Sequence, residues 1–188
     1  MKVILASRSP RRKELLGRIF SEFEIFTEEV DETLPSSVHP REGVRILAEK
    51  KGAAVAAKLS CDHLIISSDT LVELDGIPLG KPVDADDAVT TLLSLSGRSH
   101  NVHTGVAVHY NGKVFSGTDS ATVMFKSFDE AEAREYVATG EPMDKAGSYA
   151  IQGIGQKLVE GYFGEFETIV GLSITLTQRL VSEALADE

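Results

Sequence analysis

The apolar positions of this chain alternate between short runs and helical stripes. Val3 to Ala6 is an apolar run broken at Ser7-Arg8-Ser9-Pro10. Arg11 to Ile19 then reads as helix, with Ser9 as N-cap and Pro10 at the first position, where a missing N–H removes no hydrogen bond. Phe23 to Thr27 alternates apolar and polar residues like a half-buried strand, and leads through the acidic stretch Glu28 to Glu32 into a loop from Pro35 to Pro40. From Arg41 to Leu59, the residues Val44, Leu47, Ala48, Val55 and Leu59 recur at helical spacing and predict a long helix with one inward stripe.

The second half alternates in the same way. Leu64 to Ile66 predicts a buried strand running to Ser68-Asp69-Thr70, and Leu71 to Leu74 continues it to an Asp75-Gly76 turn, with Gly80-Lys81-Pro82 closing the return. Asp84 and Asp87 have the spacing of an N-cap and its third residue, opening a helix to about Leu95 that Gly97 ends. Asn111-Gly112 is a strong hairpin signal between arms at Val102 to Tyr110 and Lys113 to Phe125. Ser127 to Glu130 spells a capping box for a helix reaching Ala138, stopped by Gly140, and a last helix is predicted from Ser173 to Ala186. The two turn dipeptides require antiparallel pairs, so the expected class is α/β with a mixed sheet rather than a purely parallel one.

Composition narrows the function. With 188 residues, 42% of them hydrophobic, residues 1–188 are expected to form a single folding unit. The 29 acidic residues outnumber the 19 basic ones, which works against sequence-independent binding to nucleic acid and requires a local positive cluster for any anionic ligand. The lone cysteine, Cys61, has no internal partner, and the chain's start lacks a secretory pattern, so a reducing cytoplasm is the expected compartment. No apolar run approaches the roughly 18 residues of a membrane span. The five histidines show no zinc-like spacing, so neither a zinc centre nor a cysteine nucleophile is expected.

Within this acidic chain, Ser7, Ser9, Arg11 and Arg12 join a strand end to a helix start, where N–H groups, hydroxyls and guanidinium groups can converge on a phosphate. The alternative is a plain cap with arginines paired to surface acids. Lys51 falls inside the apolar stripe of its helix, so its ammonium must be paired, reach a polar cavity, or snorkel to water. Asp69, with Thr70 beside it, follows an apolar strand core and is expected at a cleft rim, as a metal ligand or proton acceptor, or simply as a turn residue. Glu32, if near, would share a Mg²⁺-type ion with it, leaving Arg11, Arg12, Lys51 and Lys81 to neutralise phosphate. Lys145 and Gln152 lie in a Gly-rich segment. Lys145 suits phosphate or a surface acid, and Gln152 suits a base edge or an ordinary hydrogen bond.

In order, SRSPRRKELL from Ser7, VDE from Val30, SSDT from Ser67, GKP from Gly80, GRSHNVHTG from Gly97 and GEPMDKAGSYAIQG from Gly140 resemble the Maf family across nearly the whole chain. The resemblance implies two α/β lobes around a central cleft, similar to the inosine triphosphatase-like fold. It also implies a cytoplasmic, commonly dimeric enzyme that hydrolyses a nucleoside triphosphate to the monophosphate and pyrophosphate with Mg²⁺ or Mn²⁺. By motif position, Asp69 corresponds to the proton acceptor, Glu32 to its acidic partner at the metal, Lys51 and Lys81 to basic site residues, and Arg11, Thr70 and Gln152 to substrate-selective positions. The Gln152 segment resembles the branch acting on dTTP and UTP rather than on methylated guanine nucleotides. Two positions depart from the family pattern: Gly52 replaces the usual alanine after the helix lysine, and Thr168 to Ser173 replaces Asn-Val-x-Gly-Leu-Pro. Two rival readings stay open, a purine-triphosphate housekeeping pyrophosphatase and a nucleotide-binding regulator of cell division without catalysis.

Overall fold

The computed structural model describes residues 1–60 and 62–187, so the reading of Cys61 lies outside the described residues. Among the described residues, seven strands form one mixed sheet: β1 (Lys2–Leu5), β2 (Glu24–Ile25), β3 (His63–Leu74), β4 (Ile77–Leu79), β5 (Ser99–Tyr110), β6 (Lys113–Phe125) and β7 (Val159–Phe163). Their order is β2-β1-β3-β5-β6-β7, with β4 also paired to β3. β1 runs parallel to β2 and β3, and the remaining pairs are antiparallel. The hairpins come from the two turn dipeptides. Asp75 and Gly76 take φ of 53° and 81°, Asn111 and Gly112 take 49° and 74°, as a two-residue turn between twisted strands requires.

Among the described residues, six α-helices cover both faces: α1 (Pro10–Leu16), α2 (Pro40–Ala56), α3 (Ala85–Leu95), α4 (Glu130–Val137), α5 (Phe166–Val170) and α6 (Ile174–Ala186). Because side chains alternate along a strand, β3 and β5 sort their residues cleanly. Even-numbered Leu64, Ile66, Val72, Val102, Val106 and Val108 enter the main core with residues from α1, α3, α4, α5 and α6. The opposite face belongs to α2, whose Val55 packs with Ile4, Ala6 and Ile65 in a smaller apolar cluster.

Several predicted boundaries shift. α1 stops at Leu16 rather than Ile19, because the Arg18 and Ile19 amides fold back to carbonyls three residues earlier and tighten the chain out of the helix. The strand expected at Phe23 to Thr27 pairs only at Glu24 and Ile25. The capping box falls at Asp129 and Glu132, not at Ser127 and Glu130. The Ser96 hydroxyl binds both the amide and the carbonyl of Phe128 at 2.8 Å, which holds residue 128 against the end of α3 and delays the helix start until it is passed.

Candidate active site

The candidate residues gather where the outer edge of β3 lacks a strand partner. β1 pairs with β3 as far as Leu5 opposite Ile66, and β4 resumes at Leu79 opposite Val72. Between them, residues 67–71 are paired only to β5 among the described residues. The Ser7 to Arg12 turn follows directly from the end of β1, so it arrives beside this gap.

Asp69 lies within the continuous 12-residue β3, opposite Gly105, and not beyond a strand end as its place after an apolar run implied. The strand carries on through Ser67 to Thr70 because each polar side chain is matched, which removes the cost of burying it. Ser67 Oγ donates to the Ala48 carbonyl at 2.7 Å, Ser68 Oγ donates to the Gly171 carbonyl at 3.0 Å, and Thr70 Oγ1 lies 2.9 Å from Thr104 Oγ1. Gly105 brings α2 down onto this face, since a Cβ there would lie 2.2 Å from the Val44 carbonyl oxygen.

On the α2 face the Lys51 ammonium is paired rather than snorkelling to water. It donates to Asp69 Oδ1 and lies 2.9 Å from Glu32 Oε1. Asp69 is buried, whereas Glu32 reaches in from the exposed loop before α2. Two carboxylates from distant parts of the chain thus converge on one cationic atom.

Around the edge of β3, Arg12 makes hydrogen bonds only to neutral oxygens among the described residues. Its Nε donates to the Gly171 carbonyl at 2.8 Å, Nη2 to Thr70 Oγ1 at 3.1 Å and Nη1 to Ser7 Oγ at 3.5 Å. Burial pushes the guanidinium below its ordinary value; the charge of Asp69 opposes this, Arg11 adds to it and Glu32 opposes it. Ser9 does what a cap does, its Oγ accepting the Arg12 amide at 3.4 Å. Ser7 Oγ accepts the Ser9 amide at 3.2 Å as well as Arg12.

A second group adjoins the first through Arg11. The Asp144 carboxyl is held below its usual value by its hydrogen bond from Lys145, against the opposing effect of burial, and the charges of Lys145 and Arg11 deepen the shift. Gly147 N–H donates to the Gly80 carbonyl at 3.1 Å, tying the segment bearing Lys145 to the one bearing Lys81. Lys81 and Gln152 are exposed on loops, and among the described residues neither side chain bonds to the Asp69 group.

Sequence reading missed three features. Thr104, Ser68 and Gly171 hold Arg12 and Thr70 from across the sheet, contacts that no spacing along the chain announces. The Glu141 carboxylate accepts the Tyr136 hydroxyl at 2.6 Å and the amides of Ile154 and Gly155 at 3.0 and 2.8 Å. It therefore closes the segment carrying Lys145 and Gln152, and a carboxylate at the head of a Gly-rich loop was the available signal. Finally, Glu73 Oε2 bonds His103 Nε2 at 2.6 Å and lies 3.8 Å from His39 Nε2. His39 also accepts the Arg41 amide through Nδ1 at 3.2 Å, capping α2 and leaving Nε2 as the N–H that faces Glu73 in the neutral ring. Among the described residues, no group of three or more His, Cys, Asp or Glu side chains is placed to hold a metal ion. A metal at Glu32 and Asp69 would complete its shell with water and phosphate, as Mg²⁺ commonly does.

Comparison with known proteins follows the same lines. Residues 2–184 match the family model for Maf-like protein. The chain is 46% identical over 175 residues to the dTTP/UTP pyrophosphatase of Pelotomaculum thermopropionicum, covering 92% of this chain and 91% of that protein. It is 42% identical over 182 residues to the dTTP/UTP pyrophosphatase of Bacillus velezensis, covering 97% and 96%. Among solved structures, the Staphylococcus aureus Ham1 protein matches with a TM-score of 0.51 at 16% identity, over 99% of this chain and 95% of that one, a likeness of fold alone. With its family match running nearly end to end and relatives above 40% identity, the chain belongs to the Maf-like protein family.

Proposed function

We propose that this chain hydrolyses dTTP and UTP between the α and β phosphates, releasing the nucleoside monophosphate and pyrophosphate. The observation that carries the reading is the convergence of Glu32 and Asp69 on Lys51 beside an Arg12 bonded only to neutral oxygens. Acid and base groups for water chemistry then stand next to a guanidinium with N–H groups to spare for an anion. The pyrimidine choice rests on the names of relatives 46% and 42% identical, and on an exposed Gln152 whose amide can both donate to and accept from a base edge.

In this reading Asp69 takes a proton from the attacking water, whose oxygen forms the new bond to the α-phosphorus while the bridging Pα–O bond breaks. Arg12, Arg11, Lys145 and Lys81 are assigned to offset the charge that builds on the departing pyrophosphate. Lys51 orients Asp69 by direct hydrogen bonding. Glu32 and Asp69 would hold a divalent cation, Mg²⁺ or Mn²⁺. Their fit to one is that both already turn oxygens toward a single positive centre. When bound, such an ion supplies positive charge to phosphate oxygens. A cytoplasmic homodimer belongs to the same proposal and is read by sedimentation of the purified chain.

A panel of dTTP, UTP, CTP, dITP, XTP and methylated GTP, with Mg²⁺ or Mn²⁺ and pyrophosphate detection, tests the reading. dTTP and UTP should be turned over fastest, each with one pyrophosphate released per monophosphate. Preference for dITP or XTP would move the assignment to a purine housekeeping enzyme, and nucleotide binding without pyrophosphate release would make the protein a non-catalytic regulator.

A further inference from the structure

Arg12 and Thr70 stand at one end of a hydrogen-bond chain whose direction is set by valence. Arg12 Nη2 can only donate, and it does so to Thr70 Oγ1 at 3.1 Å. At the other end the Thr168 carbonyl can only accept, and Thr104 Oγ1 donates to it at 2.7 Å. The two threonine oxygens between them are 2.9 Å apart. Each hydroxyl has one hydrogen. Thr104 commits its hydrogen to Thr168, so Thr70 must be the donor to Thr104. The Thr70 oxygen consequently faces Arg12 with lone pairs alone.

Thr104 is fully buried at the centre of β5, with Asp119 of β6 in register opposite. Asp119 in turn accepts the Thr168 hydroxyl, so the far end of the chain is anchored to the sheet as well. Arg12 Nε is held by the Gly171 carbonyl in the same segment. Of the five guanidinium N–H groups, those bonded to Gly171, Thr70 and Ser7 fix the plane. The remaining two are bonded to no described residue.

We propose that Thr104 is a positioning residue for hydrolysis: by accepting from Thr70 it sets the polarity of that hydroxyl and so the orientation of the Arg12 guanidinium toward phosphate. This rests on the reading of Arg12 as a phosphate ligand. Without the Thr104 oxygen, the Thr70 hydrogen loses its acceptor and can turn toward Arg12, setting donor against donor. The Thr104 residue touches neither substrate nor reacting atoms, and its effect travels through Thr70 and Arg12.

The test uses the full chain with dTTP and Mg²⁺, measuring kcat, KM and Tm for T104V and T104S, each in the native and the R12A background. T104V keeps the shape and removes the hydroxyl. It should lower kcat/KM by about tenfold or more, the scale of a misplaced binding group. T104S, which keeps the hydroxyl, should stay within about twofold of the native rate. In the R12A background T104V should cost less than about twofold further, the signature of coupled residues. Native activity in T104V, or an equal loss from T104V with and without Arg12, would overturn the proposal. Full activity of R12A alone would instead remove the phosphate-ligand reading on which it stands. If T104V does not fold, T70V cuts the chain one link nearer Arg12 and leaves the Thr104–Thr168 bond intact. It must show the same loss and the same dependence on Arg12, and native activity in T70V overturns the proposal equally.

Discussion

The imidazole of His109 occupies the space where a side chain at Gly52 would begin: a Cβ there would stand 2.3 Å from His109 Cδ2 and 2.7 Å from Ser67 Oγ. Gly52 follows Lys51 in α2, and the bulk of His109 on β5 leaves no room for a larger residue there. Glycine inside a helix costs about 0.5–1 kcal/mol relative to alanine, so G52A would stabilise an isolated helix. Here overpacking should outweigh that gain. G52A is expected to lose about 1–3 kcal/mol in urea unfolding, and H109A in the same chain should restore most of the loss. A G52A protein as stable as the native one would show that His109 moves aside freely.

Glu141 joins the two ends of the segment bearing Lys145 and Gln152. Burial alone would raise its carboxyl, but the hydrogen bonds from Tyr136, Ile154 and Gly155, with the charge of Lys145, hold it below the ordinary value. Hydrogen bonds to a charged group contribute about 1.5–3 kcal/mol, so E141A should release the segment. Steady-state kinetics with dTTP should then show KM raised about tenfold or more, with kcat less affected. An unchanged KM would mean that the segment keeps its shape without this carboxylate.

Stability should fall on mild acidification because of His100. Desolvation between Phe125 and Tyr149 pushes its pKa down from 6.5 to about 4. In the unfolded chain the ring takes up a proton near pH 6.5, while in the folded chain it stays neutral until about pH 4. The stability is therefore complete above pH 6.5 and is lost progressively as the pH drops from 6.5 toward 4. That window corresponds to about 3 kcal/mol. His109, lowered by desolvation against opposing help from the Glu49 carbonyl and charge, acts in the same direction. Urea unfolding between pH 7.5 and pH 4.5 should show this slope, and H100Q should flatten it. A slope identical in both proteins would assign the acid sensitivity elsewhere.

What the chain reveals before folding is whatever is local. The Ser9 cap, the Asp84–Asp87 pair and the two hairpin turns are written in residues a few positions apart, and all appear as read. Lys51 is legible as out of place because helical periodicity puts it on the inner face, but its partners Glu32 and Asp69 arrive from 19 and 18 residues away. The register of β5 against β6 follows from Asn111-Gly112, and counting back from the turn pairs Thr104 with Asp119. The register of β3 against β5 has no such marker, since the connection includes β4 and α3. The Thr70–Thr104 and Glu73–His103 contacts depend on that register and stay hidden in the sequence. The start of α4 after Asp129 rather than Ser127 depends on Ser96, another distant residue.

The most direct test of the catalytic reading is Asp69→Asn. The substitution preserves shape, and Glu32 remains 2.9 Å from Lys51, so the ammonium keeps a carboxylate partner and the fold should survive with a Tm near the native value. With dTTP and a divalent cation, pyrophosphate release should fall by about 10²–10⁴-fold while nucleotide binding persists. Near-native pyrophosphate release from a folded D69N protein would contradict the assignment of Asp69 as the group that takes the proton from water.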